Sequence, residues 1–155
     1  MSTEQLDSIP SFSELGIAPA IVKAIKEAGY ETPSPIQAQS ITPLLEGRDL
    51  LGQAQTGTGK TAAFSLPLLS RLNDRQKTPQ ILVLTPTREL AIQVAEAMQG
   101  YGRHMKNFHV LPVYGGQSMG IQLRQLQRSP QVIVGTPGRI LDLIRRGKLP
   151  LEDLK

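Results

Sequence analysis

The sequence has 155 residues, of which 39% are hydrophobic and 19% are charged, so it is long enough for one domain with a buried core. It contains no cysteine, which excludes a disulfide framework, a thiolate metal site and a cysteine nucleophile. No apolar run approaches the length of a membrane span, and the first residues lack the basic-then-apolar pattern of a secretory signal. We therefore expect a cytoplasmic protein.

Apolar periodicity predicts an alternation of helices and strands after a flexible lead-in at residues 1–10. Helices are predicted over residues 19–28 and 35–46, each followed by a glycine that ends it. Strands are predicted over residues 49–54, 80–85, 109–114 and 131–135. The helices that accompany these strands are predicted over residues 60–71, 88–101, 119–127 and 137–146. Alternating helices and near-continuous apolar strands indicate an α/β fold, with a parallel sheet covered by helices on both faces.

A glycine-rich octet follows the first predicted strand: Ala54, Gln55, Thr56, Gly57, Thr58, Gly59, Lys60 and Thr61. Glycines let several backbone N–H groups converge on one anion, and the N-terminus of the next helix adds a partial positive charge. In such a loop Lys60 reaches the β- and γ-phosphates of a nucleotide, and the Thr61 hydroxyl binds Mg²⁺. We predict a phosphate-binding loop, although its first position is Ala54 where the general pattern has glycine. The alternative is a glycine-rich turn that binds nothing.

Gln37 lies at the start of the second predicted helix, and its amide has the donor and the acceptor that match the N6 and N7 edge of adenine. Phe12 and Tyr30 are two of only six aromatic residues, and either ring could stack on a base. On the residues alone, a simpler interpretation is favoured, in which Gln37 faces solvent and both aromatic residues belong to the core.

The other three predicted strands end in loops that carry Thr, Pro, Gly and Arg. In parallel α/β sheets such loops meet at one edge, where ligands bind. From Thr78 onward the chain has ten basic and five acidic residues, which suggests a polyanionic partner, although a surplus of this size is also common on a solvated surface. We predict a strip that contacts phosphates and sugars without reading base sequence, the alternative being ordinary helix caps and turns. The residues of this predicted strip are Pro86, Thr87, Arg88, Gly115, Gly116, Gln117, Thr136, Pro137, Gly138 and Arg139.

Together, these elements resemble the DEAD-box family of ATP-dependent RNA helicases over residues 11–155, in the family's order. Residues 29–37 with Phe12 resemble the Q motif, and residues 54–61 resemble motif I, including its initial alanine. Residues 86–91 resemble motif Ia, Gly115 and Gly116 the GG doublet, and residues 136–139 motif Ib. The resemblance implies a P-loop, RecA-like first domain that uses ATP and Mg²⁺. It also implies that the strip residues contact the RNA backbone.

The same resemblance assigns a nucleotide-binding role to the segment around Gln37. It implies that Gln37 recognises adenine, that Phe12 stacks on the base, and that Tyr30 and Thr32 belong to the same site. It therefore reverses the interpretation of Gln37 that the residues alone favour.

The sequence ends at Lys155 without the Asp-Glu-Ala-Asp tetrapeptide, the Ser-Ala-Thr motif or the second domain of that family. The arginine that such a second domain supplies is worth about 10³–10⁵ in the rate of phosphate hydrolysis. The resemblance thus predicts that this chain binds ATP and RNA but does not turn ATP over by itself. Two alternatives remain, a non-catalytic binding module and another P-loop protein such as a small kinase or a DNA-directed helicase.

Overall fold

A computed structural model of the chain describes residues 10–30, 32–54 and 59–155. The chain divides into two compact units, residues 1–71 with 101–105 and residues 72–100 with 106–155. Most of the predicted flexible lead-in at residues 1–10 lies outside the described residues, as do Gln55, Thr56, Gly57 and Thr58 of the predicted phosphate-binding loop. That residues 11–155 act as one domain stays a prediction.

Within its described residues, the first unit contains the helices α1 (Pro19–Glu27), α2 (Pro35–Leu45) and α3 (Lys60–Ser70). Each helix begins at its predicted first residue and ends one residue before its predicted last residue. The start of α2 is fixed by a capping box, in which Ser34 and Gln37 exchange side-chain and backbone hydrogen bonds, and by Pro35 in the first turn. α2 packs against α3.

The second unit contains a three-stranded parallel sheet of β1 (Ile81–Leu84), β2 (Val110–Val113) and β3 (Val132–Gly135). The order is β1-β3-β2, so β3 is the central strand, and all four of its residues are buried. The helices that alternate with these strands are α4 (Arg88–Tyr101), α5 (Met119–Leu126) and α6 (Pro137–Arg145). The predicted α/β fold with a parallel sheet is confirmed.

Strand order decides where the helices lie. The connection from β1 to β2 runs across β3, and the connection from β2 to β3 runs back in the opposite direction. Right-handed crossovers of this order would place α4 and α5 on opposite faces of the sheet. Leu82, Ile133 and Leu111 are in register across the three strands, and on their face they pack with residues of α5 and α6.

The prediction of a strand over residues 49–54 is wrong. This segment is irregular in the structure, and the Leu51 side chain is 99% exposed. A strand requires a neighbour that supplies hydrogen bonds, and within the described part of the chain β1, β2 and β3 pair only with one another. The apolar side chains of this segment, Leu50 and Leu51, are therefore exposed rather than buried.

No helix in the described ranges has the length and hydrophobicity that a bilayer crossing requires.

Candidate functional sites

The N-terminus of α3 carries the last residues of the predicted phosphate-binding loop. Gly59 is the N-cap residue and has φ = 84°, in the left-handed region, and no side chain of the described residues caps the helix. The first-turn N–H groups are therefore not occupied by a capping side chain, which suits an anion. Lys60 is exposed beside them, Thr61 is half-buried in the same turn, and Ala54 is half-buried on the other side of the undescribed residues.

Gln37 connects the start of α2 to the N-cap residue of α3. Its Nε2 atom donates to the Gly59 carbonyl oxygen at 3.3 Å, and its Oε1 atom accepts from the Ser34 N–H at 3.0 Å. The side chain is only 2% exposed, so the interpretation of a solvent-facing glutamine is wrong. A Cβ atom on Gly59 would overlap Nε2 of Gln37, so residue 59 has to be glycine for this contact to form.

The two aromatic residues of the predicted nucleotide site differ in exposure. Phe12 is buried at 3% exposure, whereas Tyr30 is 43% exposed and Thr32 is exposed. The Tyr30 hydroxyl hydrogen-bonds with Tyr101, whose pKa is raised to about 12, mainly by burial and further by Tyr30. Stacking of Phe12 on a base stays a prediction, as do the roles of Tyr30 and Thr32.

A cavity of about 330 Å³ lies beside Lys60, between α2, α3 and the irregular segment before the loop. It is lined by Ile36, Ser40, Leu44, Leu50, Gly52, Lys60, Ala63 and Phe64. Sequence reasoning did not predict it, because it depends on the course of residues 50–52, which the apolar pattern had assigned to a strand.

In the second unit, the loops that follow β1 and β2 meet. The Arg88 guanidinium lies over the Tyr114 ring, 5.4 Å from its centroid, in cation–π geometry. Gly116 has φ = 88°, and a Cβ atom there would lie 3.9 Å from Nη1 of Arg88. The structure thus brings Arg88 and the predicted glycine pair together.

The first turn of α6, which follows β3, joins the same cluster through Arg139. Its Nη1 atom donates to Oε1 of Gln122 at 2.8 Å, and its Nη2 atom donates to the Gln117 carbonyl oxygen at 3.1 Å. Gln122 lies in α5 with no exposed surface, and its Nε2 atom donates to the Tyr114 carbonyl oxygen at 3.1 Å and to Oε1 of Gln117 at 2.7 Å. Four predicted strip residues, Arg88, Gly116, Gln117 and Arg139, are therefore connected.

The remaining strip residues lie at helix starts and turns. Thr87 accepts a hydrogen bond from the Leu90 N–H at 3.2 Å and so caps α4, while Thr136 is the N-cap residue of α6 and makes no capping hydrogen bond through its side chain. Pro86, Gly115, Pro137 and Gly138 are exposed.

Sequence reasoning missed Gln122 and Tyr114. For Gln122 there was a signal, because Met119, Gln122, Leu123 and Leu126 follow the spacing of one buried helix face. A glutamine at such a position needs hydrogen-bond partners inside the protein.

Residues 34–155 match the family model described as DEAD/DEAH box helicase. The chain belongs to this family. It is 60% identical over 144 residues to the ATP-dependent RNA helicase DeaD of Buchnera aphidicola, an alignment that covers 93% of this chain and 24% of that protein. It is 58% identical to DeaD of Escherichia coli K12, with coverage of 93% and 23%. The chain thus spans about a quarter of the length of these curated relatives.

Solved structures of DEAD-box proteins have the same fold. Saccharomyces cerevisiae Dbp5, bound to RNA and ADP BeF3, is 41% identical and superposes with a TM-score of 0.84, covering 94% of this chain and 36% of that one. A DEAD box protein from the hyperthermophile Methanococcus jannaschii is 40% identical with a TM-score of 0.86, covering 94% and 39%. The predicted RecA-like fold is thereby confirmed.

Proposed function

We propose that this chain is the ATP-binding and RNA-backbone-binding part of a cytoplasmic ATP-dependent RNA helicase, in which RNA-stimulated hydrolysis is coupled to local unwinding of a duplex. The observation that carries the proposal is the cluster of Arg88, Gln117 and Arg139, joined across the ends of three parallel strands. The similarity to helicases named DeaD and to a Dbp5 structure that contains RNA and ADP BeF3 supports it.

On the nucleotide side, Lys60 and the uncapped first turn of α3 would hold the phosphates, and Thr61 would hold Mg²⁺. The residues fit these groups, since the exposed Lys60 lies in the first turn of α3, and no described side chain caps the N–H groups of that turn. Within the described ranges no group of three or more His, Cys, Asp and Glu side chains could hold a metal. A single hydroxyl ligand suits Mg²⁺, which keeps most of its water and binds phosphate oxygens. When bound, Mg²⁺ neutralises part of the phosphate charge.

Gln37 would recognise the adenine base with help from Phe12, Tyr30 and Thr32. The Gln37 amide is already hydrogen-bonded to Ser34 and Gly59. Binding of adenine at Gln37 would therefore affect the hydrogen bond to Gly59, the N-cap residue of α3. The base and phosphate ends of a nucleotide would thus meet one connected set of residues.

On the RNA side, Arg88 and Arg139 would contact phosphates, and Gln117 with the glycine pair would contact the sugar-phosphate backbone closely. The start of α6, at Thr136 and Pro137, would offer the N–H groups of Gly138 and Arg139 to another phosphate. Contacts of this kind carry no base-sequence information, so the proposed RNA partner is a single strand or short duplex of any sequence.

The proposal is tested by measuring ATP turnover of the chain with and without single-stranded RNA, alongside binding of a fluorescent adenine nucleotide. We expect binding without turnover. Lys60→Ala should weaken nucleotide binding about 10- to 100-fold, because hydrogen bonds to a charged group contribute about 1.5–3 kcal/mol. Gln37→Ala should also weaken it, whereas Lys26→Ala, at an exposed lysine of α1, is the matched control and should not.

Absence of nucleotide and RNA binding would refute the proposal. RNA-stimulated turnover would confirm the helicase assignment but would show that a carboxylate of this chain activates water. Single-stranded DNA of the same sequence, tested in parallel, addresses the alternative of a DNA-directed enzyme.

A further inference from the structure

We infer that Gln122 is a positioning residue for the RNA-contacting cluster and acts by fixing Arg139 and Gln117 before RNA binds. This inference rests on the proposed function, because it concerns the same cluster. It is carried by the burial of Gln122 and by its hydrogen bonds to residues that lie on two other segments of the second unit.

The partners of Gln122 determine which way its amide points. Arg139 can only donate, so the atom that faces its Nη1 has to be the Gln122 oxygen. The Tyr114 carbonyl can only accept, so the atom that faces it has to be the Gln122 nitrogen. The two ends of the amide are thus satisfied independently, and neither a hydrocarbon nor a carboxylate of the same size can make both sets of bonds.

The orientation of the Gln122 amide also determines the orientation of the Gln117 amide. Nε2 of Gln122 donates to Oε1 of Gln117, so the Gln117 side chain has to direct its own NH₂ group elsewhere. An NH₂ group is the end of the amide that suits a phosphate oxygen or an RNA hydroxyl. Gln122 therefore decides that Gln117 offers a donor to the RNA backbone.

Arg139 is held in the same way. Two of its guanidinium nitrogens bond to Gln122 and Gln117, which fixes the plane of the group and leaves its other N–H groups for a phosphate. A long side chain that is already ordered loses less conformational freedom on binding. We expect the ordering of Arg139 to raise RNA affinity about 5- to 10-fold.

The test uses fluorescence anisotropy with a labelled single-stranded RNA and four variants of the chain, Gln122→Met, Gln122→Glu, Arg139→Ala and the double variant Gln122→Met with Arg139→Ala. We expect Gln122→Met to weaken binding about 5- to 10-fold and to flatten the dependence of affinity on salt, because one phosphate contact becomes less well formed. Gln122→Glu keeps the shape but cannot donate to Tyr114 and Gln117, so it should also lose affinity.

The double variant separates positioning from a general structural effect. If Gln122 acts through Arg139, adding Gln122→Met to Arg139→Ala should cost far less than it does in the unmodified chain. Additive losses would overturn the inference. So would a Gln122→Met chain that does not fold, since Gln122 would then belong to the fold, or a Gln122→Glu chain that binds like the unmodified one.

Gln125→Met is the matched control. Gln125 lies three residues later in α5, is half-buried, and its Oε1 atom has no hydrogen-bond partner within the described part of the chain. Its replacement should leave RNA binding unchanged, and a loss equal to that of Gln122→Met would count against a specific role of Gln122. If the unmodified chain binds no RNA, the proposed function fails; if it binds RNA and all Gln122 variants bind equally, only this inference fails.

Discussion

Gly59 is the residue at which the nucleotide-recognition segment and the phosphate-binding helix meet. Its positive φ and the adjacent Gln37 amide both require a residue without a side chain. We predict that Gly59→Ala lowers the free energy of unfolding by about 1–3 kcal/mol, because it combines backbone strain with a displaced buried amide. Urea unfolding measures this, and nucleotide binding should weaken in the same variant.

Gly100→Ala is the control for this prediction. Gly100 lies in α4, and a Cβ atom there would meet nothing within 4 Å. Alanine in a helix is favoured over glycine, so this variant should be as stable as the unmodified chain or up to about 1 kcal/mol more stable. Equal effects at Gly59 and Gly100 would show that the Gln37 contact does not constrain the backbone.

Tyr101 gives a prediction about pH. Its pKa of about 12 lies above the ordinary value of 10.0, so the folded chain favours the neutral phenol. The resulting stabilisation is fully present below pH 10 and is lost as the pH rises toward 12. Unfolding free energies measured across this range should decline more steeply for the unmodified chain than for Tyr101→Phe, and parallel curves would contradict the assignment.

At the scale of elements, the irregular segment before the phosphate-binding loop can be compared with α3. Leu51 is 99% exposed, whereas Leu66 in α3 is 1% exposed. We predict that Leu66→Ala lowers the free energy of unfolding by about 2–5 kcal/mol and that Leu51→Ala changes it by less than about 0.5 kcal/mol. Thermal or urea unfolding of both variants provides the comparison. A large loss for Leu51→Ala would mean that residues 49–54 form a buried strand, as the sequence pattern had predicted.

The helices and the other three strands were predictable because their signals are local. Ser34 and Pro35 mark the start of α2 through their own hydroxyl and ring, and the run from Val132 to Val134 has few alternatives to a buried strand. The segment 49–54 contains the apolar pair Leu50 and Leu51, yet pairing depends on a neighbour that the pattern does not specify. Local chemistry therefore predicts which residues are able to form an element, and tertiary contacts decide whether they do.

The residues of the candidate sites were less fully predictable from the sequence than the helices and strands. Arg88, Gln117 and Arg139 were identified because each lies within a few residues after a strand of one parallel sheet, and the parallel order brings those strand ends together. Gln122 was missed because a glutamine in a helix is usually solvated, and only the three-dimensional partners reveal its role. Gln37 was identified, but its burial was not, because its bond to Gly59 joins residues 22 positions apart.

At the scale of the whole molecule, the chain carries a net charge of +4, and its surplus of basic residues lies from Thr78 onward. We predict that RNA affinity falls as salt rises, with a log–log slope near −0.7 for each phosphate contacted, hence between about −1.4 and −2.1 for two or three contacts. Scrambled RNA sequences of equal length should bind within about twofold of one another. Anisotropy titrations at several salt concentrations measure both quantities, and strong sequence preference would contradict backbone recognition.

Both candidate sites are organised by a buried glutamine, Gln37 in the first unit and Gln122 in the second. A primary amide neither gains nor loses a proton between mildly acidic and mildly basic conditions, so neither glutamine changes charge there. Mild acidification would therefore change neither the charge nor the hydrogen-bonding groups of these two side chains. Any pH dependence of binding in this range should come from groups other than the two amides.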